Sequence, residues 1–453
     1  SVCEGETIDL SATTSDNATS VSWSADPGGG AFSAQDETTT TYTPSNADIS
    51  AGGVITALLE MAFAQPGVGI DADTSELYSN NPINALFIEK PGVLIQVKDD
   101  NKAERYLNKM AVSYIDIAKV TNDRTLTLQH NEYNYTLPID KMLDKWMKTS
   151  YLLDQEQCNE GFAKERFNNL RKHPLDYKFP DNFKGTFKHF KLNPDRKSPS
   201  KAKAAIIREK GVNGDREMAY SLFLAGFDVK DVHMTDISSG TETLDDVHFI
   251  VFVGGFSNSD VLGSAKGWAG AFRYNETAQQ TLKQFYSRKD TMSLGVCNGC
   301  QLMNELELLY PDHQKHPKNT HNNSGKFESA FINVKIEENN SIMLKSLKGS
   351  QLGIWVAHGE GKIEFPLSEE NYNIPMKYIS SDYPANPNGT AYNAAALVSK
   401  DGRHLAMMPH LERSIMPWQW PEYPQDRKKE QVTPWIEAFI NAKNWINNQN
   451  KEQ

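Results

Sequence analysis

Apolar positions along this chain change their period as the sequence proceeds. Near the start, alternating stretches such as Val21-Ser22-Trp23-Ser24 and Thr41-Tyr42-Thr43, split by Pro27-Gly28-Gly29-Gly30, predict short strands and turns. After Gly52-Gly53 the period becomes helical, with Ile55, Leu58, Leu59 and Ala62 on one face. A Gly67-Val68-Gly69 loop and two strand-like runs, 85–88 and 93–97, come next and make this an α+β segment. From residue 203 onward, strands and helices alternate. Apolar runs at 204–208, 249–253 and 292–296 read as buried strands, and stretches at 215–225, 277–287 and 302–308 as helices. That alternation predicts an α/β domain, a mostly parallel sheet with helices on both faces. The last element is a helix with Thr433 as N-cap, Pro434 at its first position and Trp435, Ile436, Phe439, Ile440 and Ile446 as its apolar stripe. No internal repeat is evident.

Composition changes this picture in two places. Residues 1–52 hold eight acidic residues and no Lys or Arg, so they stand apart from the rest of the chain. Residues 142–202 start as a helix and become a basic connector: between Lys164 and Lys203 there are twelve Lys/Arg and four Asp/Glu, interleaved with Phe179, Phe183, Phe187 and Phe190. Basic residues among aromatics suit single-stranded nucleic acid. The plainer reading, which is preferred, is a linker whose aromatics pack on the neighbouring domain while its lysines stay in water. The net charge of −11 over 453 residues is mild and draws toward neither nucleic acid nor membrane. No apolar run approaches the roughly 20 residues that span a bilayer, and no leader pattern opens the chain. A cytoplasmic, reducing setting is expected, consistent with only four cysteines, Cys3, Cys158, Cys297 and Cys300.

The candidate chemistry lies in three short motifs. In Leu294-Gly295-Val296-Cys297-Asn298-Gly299-Cys300-Gln301 a strand runs through small residues into a helix. This is the pattern of a nucleophile elbow, where a sharp turn projects one side chain above the sheet edge. A thiol there sits at a helix N-terminus, whose partial positive charge favours the reactive thiolate. A buried structural cysteine is the plain alternative. Cys297 and Cys300 also form a C-x-x-C, but no second such pair completes a zinc site, and Cys300 is expected to face the core. A thiol nucleophile needs a base and an orienting group. Pro409-His410-Leu411-Glu412-Arg413 offers both, because in a strand or an extended turn His410 and Glu412 would project to one side. Alone, that pair reads better as a surface salt bridge. Gly254-Gly255 after the strand at 249–253 can turn backbone N–H groups toward a reacting carbonyl, or be an ordinary turn.

Taken together and in this order, the motifs resemble the class I glutamine amidotransferases, whose fold is flavodoxin-like. The residues around them narrow the resemblance. Gly254 to Ser257 with Asp260 to Gly263, Lys266-Gly267-Trp268-Ala269, Gly211-Val212-Asn213-Gly214, Ala357-His358-Gly359-Glu360-Gly361 and Asn386-Pro387-Asn388-Gly389 are similar to the glutaminase domain of the large, single-chain formylglycinamide ribonucleotide amidotransferases. The resemblance implies that Cys297 attacks the glutamine amide, His410 acts as base and acid, and Glu412 orients His410. It further implies that Gln301 contacts the substrate and that backbone at Gly255 and Asn298 binds the oxyanion. No cofactor is implied for the glutaminase step. Mg-ATP and formylglycinamide ribonucleotide are implied for the whole synthase, whose main ATP site would lie in a synthetase portion missing here. Departures from the family pattern are Asn258-Ser259 where Tyr-Gly is usual, Leu411 for proline, Ala330 for arginine and Ala51 for aspartate.

The expected organisation is therefore a β-rich segment at 1–52, similar to the PKD-like, immunoglobulin-like repeats of bacterial adhesins. A C-terminal remnant of an aminoimidazole-ribonucleotide-synthetase-like domain occupies 53–141, then the linker 142–202 and the amidotransferase domain 203–453. The join near 50–53 reads as a fusion, and the remnant's Ile55, Leu58 and Leu59 are expected to lie exposed without their partner half. The competing functional reading is an inactive or uncoupled fragment carrying an extracellular binding segment.

Overall fold

The computed structural model describes residues 54–77 and 92–452, preceded by the strands Ile8–Ser11, Ala31–Phe32 and Thr39–Thr43. These three form an antiparallel sheet with Thr39–Thr43 in the middle. The expected strands at 21–24 and 85–88 lie outside the described residues. The chain divides into two compact units, Ser1–Ser150 and Tyr151–Gln453.

In the first unit the helix Val54–Ala64 covers a four-stranded sheet in the order Ala118–Thr121, Gly69–Asp73, Thr125–His130, Tyr133–Pro138. Strict alternation in Thr125–His130 sends Leu126 and Leu128 inward, where they meet Leu58, Ala62, Ile70, Ala72 and Ile139. Leu58 is fully covered, and Ile55 and Leu59 pack on the same cluster, so the unit's own sheet buries the face expected to be exposed. The run 93–97 is not a strand. No neighbour pairs with it among the described residues, and Val93 and Ile95 stand in water. An apolar run becomes a strand only where a ladder partner takes its backbone groups.

The second unit is built on a nine-stranded sheet. Its order is Gln351–His358, Glu328–Ile336, Asn373–Tyr378, Ala394–Val398, His404–Met407, Met292–Val296, Phe249–Phe252, Lys203–Arg208, Asp228–His233. The five strands from His404–Met407 to Asp228–His233 are parallel, and the other four are antiparallel. The mixed α/β architecture is the expected one. Every residue of Phe249–Phe252 and Met292–Val296 is buried, as strands covered on both faces require. Helices Asp215–Ala225, Lys266–Arg273, Glu276–Ser287 and Ile436–Glu452 supply that cover through residues such as Leu222, Trp268, Phe285 and Phe439.

The connector aromatics behave as the plainer reading requires. Phe179, Phe183, Phe187 and Phe190 pack on this core with Trp420 and Tyr423, while Lys164, Lys178, Lys184 and Lys191 remain exposed. The regular last helix starts at Ile436, later than expected, and the turn before it is held by Thr433, whose hydroxyl donates to the Ser414 carbonyl at 2.6 Å and accepts from the Trp435 N–H at 3.4 Å. Its stripe is otherwise as read, with Ile436, Phe439 and Ile446 fully buried.

Candidate active site

The central strand Met292–Val296 ends at Cys297, and the helix Asn298–Glu305 begins on the next residue. The helix thus starts four residues earlier than the expected 302. The turn is tighter than a loop because Cys297 itself takes φ +53°, ψ −107°. A non-glycine residue there stores strain of about 1–3 kcal/mol, which the flanking glycines make tolerable. A Cβ on Gly295 would lie 2.5 Å from the Gly299 carbonyl, and one on Gly299 would run into the Phe252 carbonyl. Strand, elbow and helix can pack this closely only with glycine at both 295 and 299.

Cys297 is 5% exposed, and its Sγ donates to the Ala357 carbonyl at 3.4 Å. Cys300 is completely buried, and burial pushes its thiol well above the ordinary range. The two thiols therefore differ in chemistry: one opens to the site and the other is locked neutral in the core. Among the described residues no cluster of three or more potential ligands could hold a metal ion.

His410 and Glu412 come together, though not on a strand. His410 is extended and its N–H donates to the Trp355 carbonyl at 2.8 Å, while Glu412 lies in the 3-10 turn Leu411–Arg413. The turn folds the carboxylate back, so Nδ1 of His410 and Oε1 of Glu412 are 2.7 Å apart. Both side chains are buried. Burial alone would hold the imidazole neutral. The Glu412 carboxylate and Cys297 outweigh it and raise His410 to about 9. The other ring nitrogen, Nε2, faces Cys297 and is bonded to no other group. Gly254 lies between these parts: a Cβ there would be 2.7 Å from His410 Cε1 and 3.3 Å from Cys297 Cβ.

Gly255 comes next with φ +117°, backed against Val212 and Asn213 so closely that a Cβ would lie 2.6 Å from each backbone. Asn298 is the first residue of its helix, where the N–H has no carbonyl in the helical ladder to meet. Gln301, nearly buried, donates through Nε2 to the Glu360 carbonyl at 2.8 Å, and its Oε1 accepts from Asn298 Nδ2 at 3.0 Å. All six residues expected from sequence thus border one site.

The structure adds others whose sequence signal lay only in their place within the family-like motifs. Asp260 accepts from Asn298 Nδ2, and Glu360 accepts from the Ser264 N–H, both at 3.3 Å. His358 is buried and bonded through Nδ1 to Asn322 Oδ1 at 3.2 Å. Burial, then the nearby His410 charge, lowers it to about 4, so it is neutral throughout the working range.

Residues 201–446 match the CobB/CobQ-like glutamine amidotransferase domain family. The chain belongs to that family. This glutamine amidotransferase also matches the AIR synthase related protein, C-terminal domain, over residues 45–131. It is 38% identical over 425 residues to a probable phosphoribosylformylglycinamidine synthase, chloroplastic/mitochondrial, of Arabidopsis thaliana, covering 88% of this chain and 30% of that protein. The phosphoribosylformylglycinamidine synthase of Homo sapiens is 36% identical over 439 residues, covering 88% of this chain and 32% of that one. The amidotransferase chain therefore spans about a third of the length of these relatives. Among solved structures it is similar to PurLQS from Thermotoga maritima, with a TM-score of 0.42 and 22% identity over 54% of this chain and 99% of that one. No described helix is long and apolar enough to cross a membrane.

Proposed function

We propose that this chain hydrolyses glutamine at Cys297 and is the glutaminase part of a phosphoribosylformylglycinamidine synthase. The observation that carries the proposal is the meeting of the Cys297 thiol with a buried His410–Glu412 pair across Gly254, on an amidotransferase domain. The Cys297 sulfur attacks the side-chain amide carbon of glutamine, and His410 holds the proton the thiol gives up. Negative charge that develops on the amide oxygen is met by the N–H groups of Gly255 and Asn298. Collapse of this adduct breaks the C–N bond, and His410 passes its proton to the departing ammonia. The imidazole, now neutral, takes a proton from water as it adds to the thioester, and glutamate leaves with the thiol restored. Glu412 fixes the tautomer throughout, and Gln301 lines the substrate's path.

Ammonia so formed would serve ATP-dependent conversion of formylglycinamide ribonucleotide to formylglycinamidine ribonucleotide in purine biosynthesis, in the cytoplasm. Mg-ATP and the ribonucleotide would bind a synthetase portion outside this chain, of which 53–141 is the C-terminal part. Residues 142–202 would join that part to the amidotransferase domain at 203–453. An assay for glutamate and for ribonucleotide product tests this directly, with and without formylglycinamide ribonucleotide and Mg-ATP. Slow glutamate formation and no ribonucleotide product is the expected result. Product made by the purified chain alone would overturn the division of labour, and absence of glutamate together with an unreactive Cys297 would overturn the glutaminase reading.

A further inference from the structure

Two carboxylates, Asp260 and Glu360, meet on Ser264 beside the residues that surround Cys297. Ser264 joins them: its N–H donates to Glu360 Oε2 and its hydroxyl to Asp260 Oδ2, both at 3.3 Å. Among the described residues no Lys, Arg or His nitrogen stands within ion-pair distance of either. Burial, and to a lesser degree the Glu360 charge, raises Asp260 above the usual carboxylate range. Like charges held together cost stability unless a cation joins them.

Both carboxylates are tied to the parts that surround the nucleophile. Asp260 accepts from the side chain of Asn298, the residue after Cys297, and from the Ala265 N–H at 3.4 Å. Glu360 ends a segment whose Ala357 carbonyl accepts from the Cys297 thiol and whose own carbonyl accepts from Gln301. One wall of the site is thus the loop from Gly255 to Ala265 and the other the segment from Ala357 to Glu360, and Ser264 closes the two. Independently of the charges, this site awaits a ligand. Ser257 Oγ, on a residue 1% exposed whose N–H donates to Asn298 Oδ1, has no hydrogen-bonding partner, and His410 Nε2 has none beyond the Cys297 it faces.

We propose that Asp260 and Glu360 are specificity-determining residues that receive the α-ammonium group of glutamine while its amide lies against Cys297. This rests on the glutaminase reading above and says how the site tells an amino acid from a simple amide. A hydrogen-bonded carboxylate pair discriminates strongly because an analogue without the ammonium leaves both charges unmatched. Ser264, Ala265 and Asn298 hold the pair in place before substrate arrives, so little reorganisation is needed on binding.

The test compares Asp260→Asn and Glu360→Gln, which keep the acceptor oxygens, with the unmodified full chain. Cys297 is labelled with 6-diazo-5-oxo-L-norleucine, which carries the α-ammonium, and with 5-chloro-4-oxopentanoate, which lacks it, and rates are read by mass spectrometry. Each variant is expected to slow the first reagent by about tenfold or more and to leave the second unchanged. Equal effects on both reagents, or on neither, would overturn the assignment. Failure of the unmodified chain to be labelled at Cys297 by the norleucine reagent would instead sink the glutaminase reading, and this inference with it.

Discussion

A side chain on Gly254 would reach Cε1 of His410 at 2.7 Å, so the space beside the imidazole is set by the absence of a single methyl group. Gly254 has no positive φ, and alanine can adopt its backbone. Gly254→Ala is therefore expected to fold normally and to push His410 away from Cys297. A displacement of this size costs on the order of 10²-fold in turnover. The check is glutaminase kinetics beside a thermal melt; full activity with an unchanged melt would contradict the packing argument.

Cys297 and Cys300 separate cleanly by substitution. Cys297→Ala is expected to remove glutamine hydrolysis, by on the order of 10⁴-fold or more. Cys300→Ala is expected to stay within a few-fold of the parent, with a loss of stability of about 1 kcal/mol from the small cavity it leaves. Labelling of Cys300 in preference to Cys297 by a glutamine-analogue electrophile would reverse the assignment.

Hydrolysis is expected to fall on the alkaline side near pH 9, where His410 loses the proton it must hand to ammonia. Its folded value lies above the ordinary one, so the charged imidazole is favoured below that pH and lost above it. Glu412→Gln removes the largest raising influence and leaves burial opposed chiefly by Cys297, so the alkaline limb should move to lower pH. His410→Ala should cost more activity than Glu412→Gln, because in the proposed mechanism one group carries the proton and the other only orients it. A pH–rate profile of Glu412→Gln that coincides with the parent's would refute this account.

Asn258, Ser259 and Asp260 all have positive φ, at +53°, +55° and +49°. The family resemblance places glycine at 259, where such a conformation is free of strain. Ser259→Gly is therefore expected to stabilise the amidotransferase unit by about 1 kcal/mol and raise its melting midpoint by about 2–4 °C. Calorimetry showing a lower midpoint would mean that the serine side chain contributes more than its backbone costs.

Local signals proved the most legible. The elbow could be read because strand, glycine and cysteine are adjacent, and the pairing of His410 with Glu412 came from their separation by one residue. Even there the reason differed, since a 3-10 turn and not a strand brings the carboxylate to Nδ1. Asp260 and Glu360 belong to family-like motifs but acquired meaning only when Ser264 met Glu360 across 96 positions of sequence. The run 93–97 shows the opposite failure, an apolar pattern that pairs with no strand among the described residues. The antiparallel half of the large sheet was likewise hidden, because strands such as Glu328–Ile336 and Asn373–Tyr378 interrupt their buried positions with polar residues and do not read as apolar runs.

The strand His404–Met407 lies in the middle of the nine-stranded sheet, between Met292–Val296 and Ala394–Val398, although it is the last of the nine in sequence. A ribosome delivers it after all its neighbours, so the sheet must remain open at its centre until every other strand has been made. His410 and Glu412 come directly after that strand and cannot reach Cys297 before it inserts. A nascent chain that has not yet inserted this strand therefore carries its Cys297 thiol without His410 as proton partner.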